Sequence, residues 1–287
     1  MSKSQLTVLV SAVVLVLVLF MLPQSVVKKD SGPSPAEESS HADPRGGNTE
    51  AAEESFPAAV LSKTDSAKAN ESVKVFSDAA SPKEKRLVKA DSLSVLYRRA
   101  GNYRNAARWR DSVYSISPDS RNAVKAGEAW FEAAAQLPND EKGIAFRKAF
   151  TGKARERFTK AMSDPAFKSD AKIKLALTWV DSEDPMKGIS LLREVITEEP
   201  ENKSAILQLG LLSMRSGQFD KAEARFKKLL ELDPANDEAR WQLALSLNQG
   251  GKRAEAIATL KPLLKSRNDE IKSSAESMLK ELEGTGR

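Results

Sequence analysis

The sequence has no cysteine and a single histidine, His41. The first absence excludes disulfides, thiolate metal sites and cysteine nucleophiles. His41 lies in a stretch rich in Ser, Pro and acidic residues, where nothing would orient an imidazole. A histidine base, a catalytic triad or a zinc site therefore has no residue to rest on. A strong charge imbalance is missing too: 45 Lys and Arg face 40 Asp and Glu. Past residue 63 the two signs alternate along the chain instead of forming blocks, the pattern of solvated helix faces. The expectation is no catalytic residue, no cofactor, no metal ligand, no small-molecule substrate and no nucleic-acid partner.

What is present begins with one long hydrophobic run. After a short tail at 1–5, residues 6–22 read LTVLVSAVVLVLVLFML, with only Thr7 and Ser11 as polar interruptions. Helical rise over that length, with its flanks, just crosses a hydrocarbon layer of about 30 Å. A signal peptide has the same basic start and apolar centre, but no small-x-small site follows and Pro23 stands at the exit. The reading is a single uncleaved transmembrane signal-anchor helix, through which the membrane is a partner. Lys3 on one side and Lys28 and Lys29 on the other nearly balance the positive-inside rule. A bacterial inner-membrane anchor with an extracytoplasmic body is expected; the reverse topology, with a cytoplasm-facing body, is the alternative. Residues 23–64 predict a disordered linker: from Asp30 to Ser62 seven acids oppose one base, and Phe56, Val60 and Leu61 are the only sizeable apolar residues. Its reach would be on the order of 30 Å.

The second half repeats itself. Segments 169–202, 203–236 and 237–270 align without a gap. Leu175-Ala176, Leu209-Gly210 and Leu243-Ala244 fall in step, as do Gly188, Ala222 and Ala256, then Leu192, Phe226 and Leu260. The doublets Val195-Ile196, Leu229-Leu230 and Leu263-Leu264 close each unit. Physical reasons fit the spacing: Gly210 and Ala222 let two helices approach, Gly217 permits a left-handed cap, and Pro234 stops the second helix. A similar unit spans 81–118, with Ser94 in the glycine slot, Arg110 in the aromatic slot, and Ser81 to Glu84 reading as a capping box. A lengthened one spans 119–168, with Ala126-Gly127, Trp130, Ala154 and Phe158 in place and the extra residues around Pro138 to Asp140. An additional helix is expected over 65–80 and a capping helix over 269–283, with Ile271, Ala275, Met278 and Leu282 on one side.

A 34-residue period with W-x-x-L-G-x-x-Y, then A-x-x-x-F, then Pro resembles the tetratricopeptide repeat. The resemblance implies an all-α fold, a right-handed α-solenoid of about five helix pairs. It also implies a concave groove lined by the first helices that holds protein or peptide segments. Carried over slot by slot, the groove would present Ile173, Leu177 and Val180, then Leu207, Leu211 and Met214, then Trp241, Leu245, Asn248 and Gln249. The first two units would offer Asp91, Val95, Arg98, Arg99, Val124, Glu128 and Phe131. Members that grip a C-terminal carboxylate have Lys and Asn where this chain has Asp91 and Val95, so that mode is not implied. An aliphatic groove with one tryptophan suits an amphipathic helix or an extended apolar peptide. Two alternatives stay open: Ile173, Leu177, Leu207, Leu211 and also Trp241 as packing between first helices, and the five arginines of 97–110 as helix-end cations or as a contact for an acidic partner or lipid headgroups.

Overall fold

The computed structural model describes residues 61–284, all within the unit that starts at Ala51. Among these residues every regular element is helical: α1 Lys63–Ser77, α2 Lys83–Arg99, α3 Tyr103–Ile116, α4 Ser120–Ala135, α5 Glu141–Ala161, α6 Lys168–Val180, α7 Pro185–Glu198, α8 Lys203–Arg215, α9 Phe219–Leu232, α10 Asp237–Gln249, α11 Arg253–Leu260, a 3-10 turn Lys261–Lys265 and α12 Asp269–Gly284. None is long and apolar enough to cross a membrane. The anchor expected at 6–22 and most of the linker lie outside the described residues.

Local chemistry sets the boundaries. Ser62, Asn102, Asp119, Asp140, Asp184, Asn202 and Asn236 each accept a hydrogen bond from the backbone N–H three residues on, starting α1, α3, α4, α5, α7, α8 and α10. First helices of three units end alike. Gly101, Gly217 and Gly251 have φ of 74°, 68° and 77°, and the next residue donates back into the helix, as Gln218 N–H does to Ser213 at 2.9 Å. Two expected details differ. Ser81 is not a cap: its hydroxyl hydrogen-bonds Asp78, and Pro82 occupies the N-cap without a side-chain bond. The last second helix does not run through Leu263-Leu264. Pro262 removes a donor, the chain tightens into the 3-10 turn, and Leu263 is buried while Leu264 is exposed.

Each helix packs against its neighbours along the chain, α2 on α3, α4 on α5, α6 on α7, α8 on α9 and α10 on α11. Inside these pairs a small residue faces a large one, and the sizes compensate. Gly210 faces Phe226: a Cβ there would sit 2.5 Å from the ring Cε1. Gly127 faces Phe158 in the same way, at 2.6 Å. Where the small slot is alanine, Ala176 or Ala244, the large slot is the shorter Leu192 or Leu260, all fully buried. In the first pair Ser94 replaces the glycine, and Arg110 turns to Asp91 on the same helix as Ser94.

The lengthened pair has the most aromatic core, with Trp130, Phe150 and Phe158 around Ala133, Ala134 and Ala154. Its long turn is tied down by Arg147, which donates to the carbonyls of Leu137 at 2.8 Å and Pro138 at 3.2 Å and to Asn139 Oδ1 at 2.9 Å. Asp111 of α3 accepts from Trp130 Nε1 and from Arg157 Nε, both at 2.7 Å, and so joins α3, α4 and α5. Trp109 meets Phe76 edge-on at 5.0 Å, which holds α1 against α3. At the other end α12 buries Ala275, Leu279 and Leu282 against the last pair, with Ile271 and Met278 half-covered.

Candidate protein-binding groove

The first helices α6, α8 and α10 present homologous slots, and the structure sorts the expected lining into three groups. Leu177, Leu207, Leu211, Met214, Trp241, Leu245 and Asn248 are half-buried, and Gln249 is exposed. Leu207, Leu211, Met214 and Trp241 form the rim of the core beneath α9 and α10. Large apolar side chains half in and half out of a core, on successive first helices, make a strip that a partner could cover. Ile173 departs from the expectation. It is 6 % exposed and packs with Ala176, Leu192, Val195, Ala205 and Leu209, because α8 closes over it. Val180 turns toward α7, where a Cβ at Gly188 would lie 3.3 Å from its Cγ2. Val124 is likewise core, among Ala123, Ala161 and Ala171.

Ion pairs bridge consecutive first helices. Arg98 grips Glu132 with two guanidinium nitrogens at 2.8 Å, Lys174 reaches Glu128 at 2.8 Å, and Arg215 reaches Asp181 at 2.5 Å. The hydrogen bond to Glu132 raises the Arg98 pKa above its usual value. Burial disfavours the Lys174 charge, yet Glu128 and Asp170 outweigh it and the pKa is raised. A denser cluster joins α6 to α7: Lys168 and Lys172 both donate to Glu198 at 2.8 Å and hold its carboxyl at about 2. These contacts fix neighbouring helices. Among the described residues no group of three or more His, Cys, Asp or Glu is placed to hold a metal ion.

One lining element was not legible beforehand. An open cleft of about 510 Å³ lies between α10 and α12, bounded by Leu245 and Asn248 on one side and Ser273, Ser274, Ser277, Met278, Glu281 and Leu282 on the other. The capping helix therefore does more than cover the last pair, because its serines flank the end of the strip. The signal available was three serines within five residues of an amphipathic helix.

Set beside known proteins, a family model described as a tetratricopeptide repeat matches residues 180–231 and 213–277. No curated protein matches the chain. Among solved structures, PilW, described as a widely conserved type IV pilus biogenesis factor, is 15% identical with a TM-score of 0.49, covering 75% of this chain and 99% of that one. TTC0263 of Thermus thermophilus, described as a thermophilic TPR protein, is 20% identical with a TM-score of 0.48, covering 67% and 98%. A MamA structure is 19% identical with a TM-score of 0.44, covering 62% and 90%.

Proposed function

We propose that this chain, which belongs to the tetratricopeptide-repeat proteins, is a membrane-tethered, non-catalytic scaffold that holds an amphipathic helix or apolar peptide of another protein in its groove. The observation that carries the reading is the strip formed by Leu177, Leu207, Leu211, Met214, Trp241 and Leu245, half-buried at homologous slots of successive first helices. Trp241 is the anchor of that strip, since a large aromatic whose covering removes much surface from water is the residue type most enriched at binding hot spots. Trp241→Ala combined with Met214→Asp should weaken partner capture by about tenfold or more. Both side chains rest on the core rim, so the variant should keep its helical circular dichroism with a modestly lower unfolding midpoint. A folded variant that still retains every partner would remove the groove from the reading.

The tether is the run at 6–22, and the proposed location is the extracytoplasmic face of a bacterial inner membrane, in an envelope complex. A cytoplasm-facing receptor would place the body on the other side. Ser62→Cys and Ser2→Cys, treated separately in intact cells with an impermeant thiol reagent, decide between them; the chain has no other thiol. Labelling at 62 with protection at 2 is the expected result. The opposite pattern would place the body in the cytoplasm, and labelling of neither would remove the extracytoplasmic body.

A further inference from the structure

Although the two signs are interleaved along most of the body, its net positive charge comes almost entirely from two helices. Residues 83–110 hold nine basic side chains against two acidic ones, whereas 111–287 hold twenty-nine against twenty-eight. Several of the nine are already engaged: Arg98 on Glu132, Arg110 on Asp91, and Arg86 stacked on Phe76. What remains on α2 forms a row. Lys85, Val88, Ser92, Val95 and Arg99 recur at spacings of three and four, so they share one helical face, and all five are exposed. Val88 is 62 % exposed and Val95 37 %, two of the few large apolar side chains left open among the described residues. Lys85 and Arg99 have no ion pair or hydrogen bond among the described residues. Val95 stands in the slot that Leu177, Leu211 and Leu245 fill in the later units. The row therefore lies in register with the groove but has a different chemistry.

We infer that this face of α2 is a second docking surface, and that its occupant is an acidic amphipathic helix of a partner protein. Lys85 and Arg99 are fourteen residues apart, about 21 Å along a helix. A partner helix of roughly four turns spans that distance with carboxylates at its two ends and aliphatic side chains between them on Val88 and Val95. The pairing is selective because the two cations, without an ion pair among the described residues, stand at both ends and the apolar contact sits between them. A lipid surface is a poorer match. A helix lying in a bilayer interface separates a Leu, Phe or Trp face from a cationic one, while here two valines share a single row with the cations. A single-stranded nucleic acid would need aromatic platforms for its bases, and this row contains none. This surface depends on the fold but not on the groove around Trp241.

The test uses the full chain in a neutral detergent and a labelled sixteen-residue peptide, with glutamates toward both ends of one face and leucines between them, read by fluorescence anisotropy. Binding should weaken as salt rises, and a scrambled peptide of the same composition should bind about tenfold less well. Lys85→Glu with Arg99→Glu should lower affinity at least about tenfold without changing the circular dichroism, and the neutral Lys85→Gln, Arg99→Gln pair should fall between. Val88→Ser with Val95→Ser should also weaken binding. Equal affinity for the scrambled peptide, or wild-type affinity in the charge-reversed variant, would overturn the inference. So would displacement of the peptide by phosphatidylglycerol added to the micelles, which would assign the row to a membrane surface. Loss of the peptide from the Trp241→Ala, Met214→Asp variant, with binding retained by the α2 variants, would place it in the C-terminal groove and overturn the second surface.

Discussion

Gly210→Leu should lower the stability of the α8–α9 pair by a few kcal/mol, since overpacking a filled core typically costs about 1–3 kcal/mol and leucine adds four carbons here. The reason is geometric. Even the first of those carbons would fall 2.5 Å from Phe226 Cε1, and Phe226 is fully buried with no room to swing aside. Gly210→Ala isolates that single carbon. Its better helix propensity, about 1 kcal/mol, works against a clash of similar or larger size, so a smaller net loss is expected. Adding Phe226→Leu to Gly210→Ala reproduces the Ala244–Leu260 pairing of the next unit and should recover most of the loss. Gly152, exposed in α5 with nothing within 4 Å of a Cβ, supplies the opposite sign: Gly152→Ala should raise stability by roughly 0.5–1 kcal/mol. Midpoints from denaturant titration check all four variants, and equal midpoints for wild type and Gly210→Leu would contradict the pairing.

Asp111→Ala should be the most damaging change on the polar side, at about 2–3 kcal/mol, because it strips a half-buried cation and a buried indole of one shared acceptor, while Glu156 still holds Arg157. Trp130 is 1 % exposed, and Asp111 is the acceptor its indole N–H uses. The Arg157 side chain is 18 % exposed; burial disfavours its charge, and the contacts with Asp111 and Glu156 reverse that and raise its pKa. Asp111→Asn keeps one acceptor oxygen and should cost clearly less, leaving a ladder of three midpoints in thermal unfolding. An Asp111→Ala midpoint as high as that of Asp111→Asn would mean that the carboxylate does not join the three helices.

In the regular units the small and large slots were readable from the sequence because facing residues lie sixteen apart in one unit, in a helical phase fixed by the turn between them. Gly210 with Phe226 and Ala176 with Leu192 are of this kind. The Asp111 junction was not readable. Its partners lie 19 and 46 residues away on two other helices, and nothing in a polar residue's spacing says which neighbour it will face. Ile173 shows the limit within the candidate site. Its slot matches Leu207 and Trp241, but whether a slot is open depends on how far the next helix closes over it, and Ala205 and Leu209 of α8 come close enough to cover it. The serine-lined cleft was missed for the same reason: the amphipathic pattern of α12 predicts which side is buried, but not that its flank meets Asn248.

The neighbour-to-neighbour packing of α1 to α12 bears on how the chain acquires its structure in time. Every large interface joins helices adjacent in sequence, so the entropy lost on closing the intervening chain is small and folding can begin locally. The natural starting point is α4 with α5, where Trp130, Phe150 and Phe158 bury the most aromatic surface over a turn already clamped by Arg147. Growth from there proceeds helix by helix toward both ends. Opening runs the other way, so α12 and the strip at Trp241 beside it, several helices from that nucleus, lie on a part of the chain that loosens early, whereas α2 stays tied to α4 through Arg98 and Glu132.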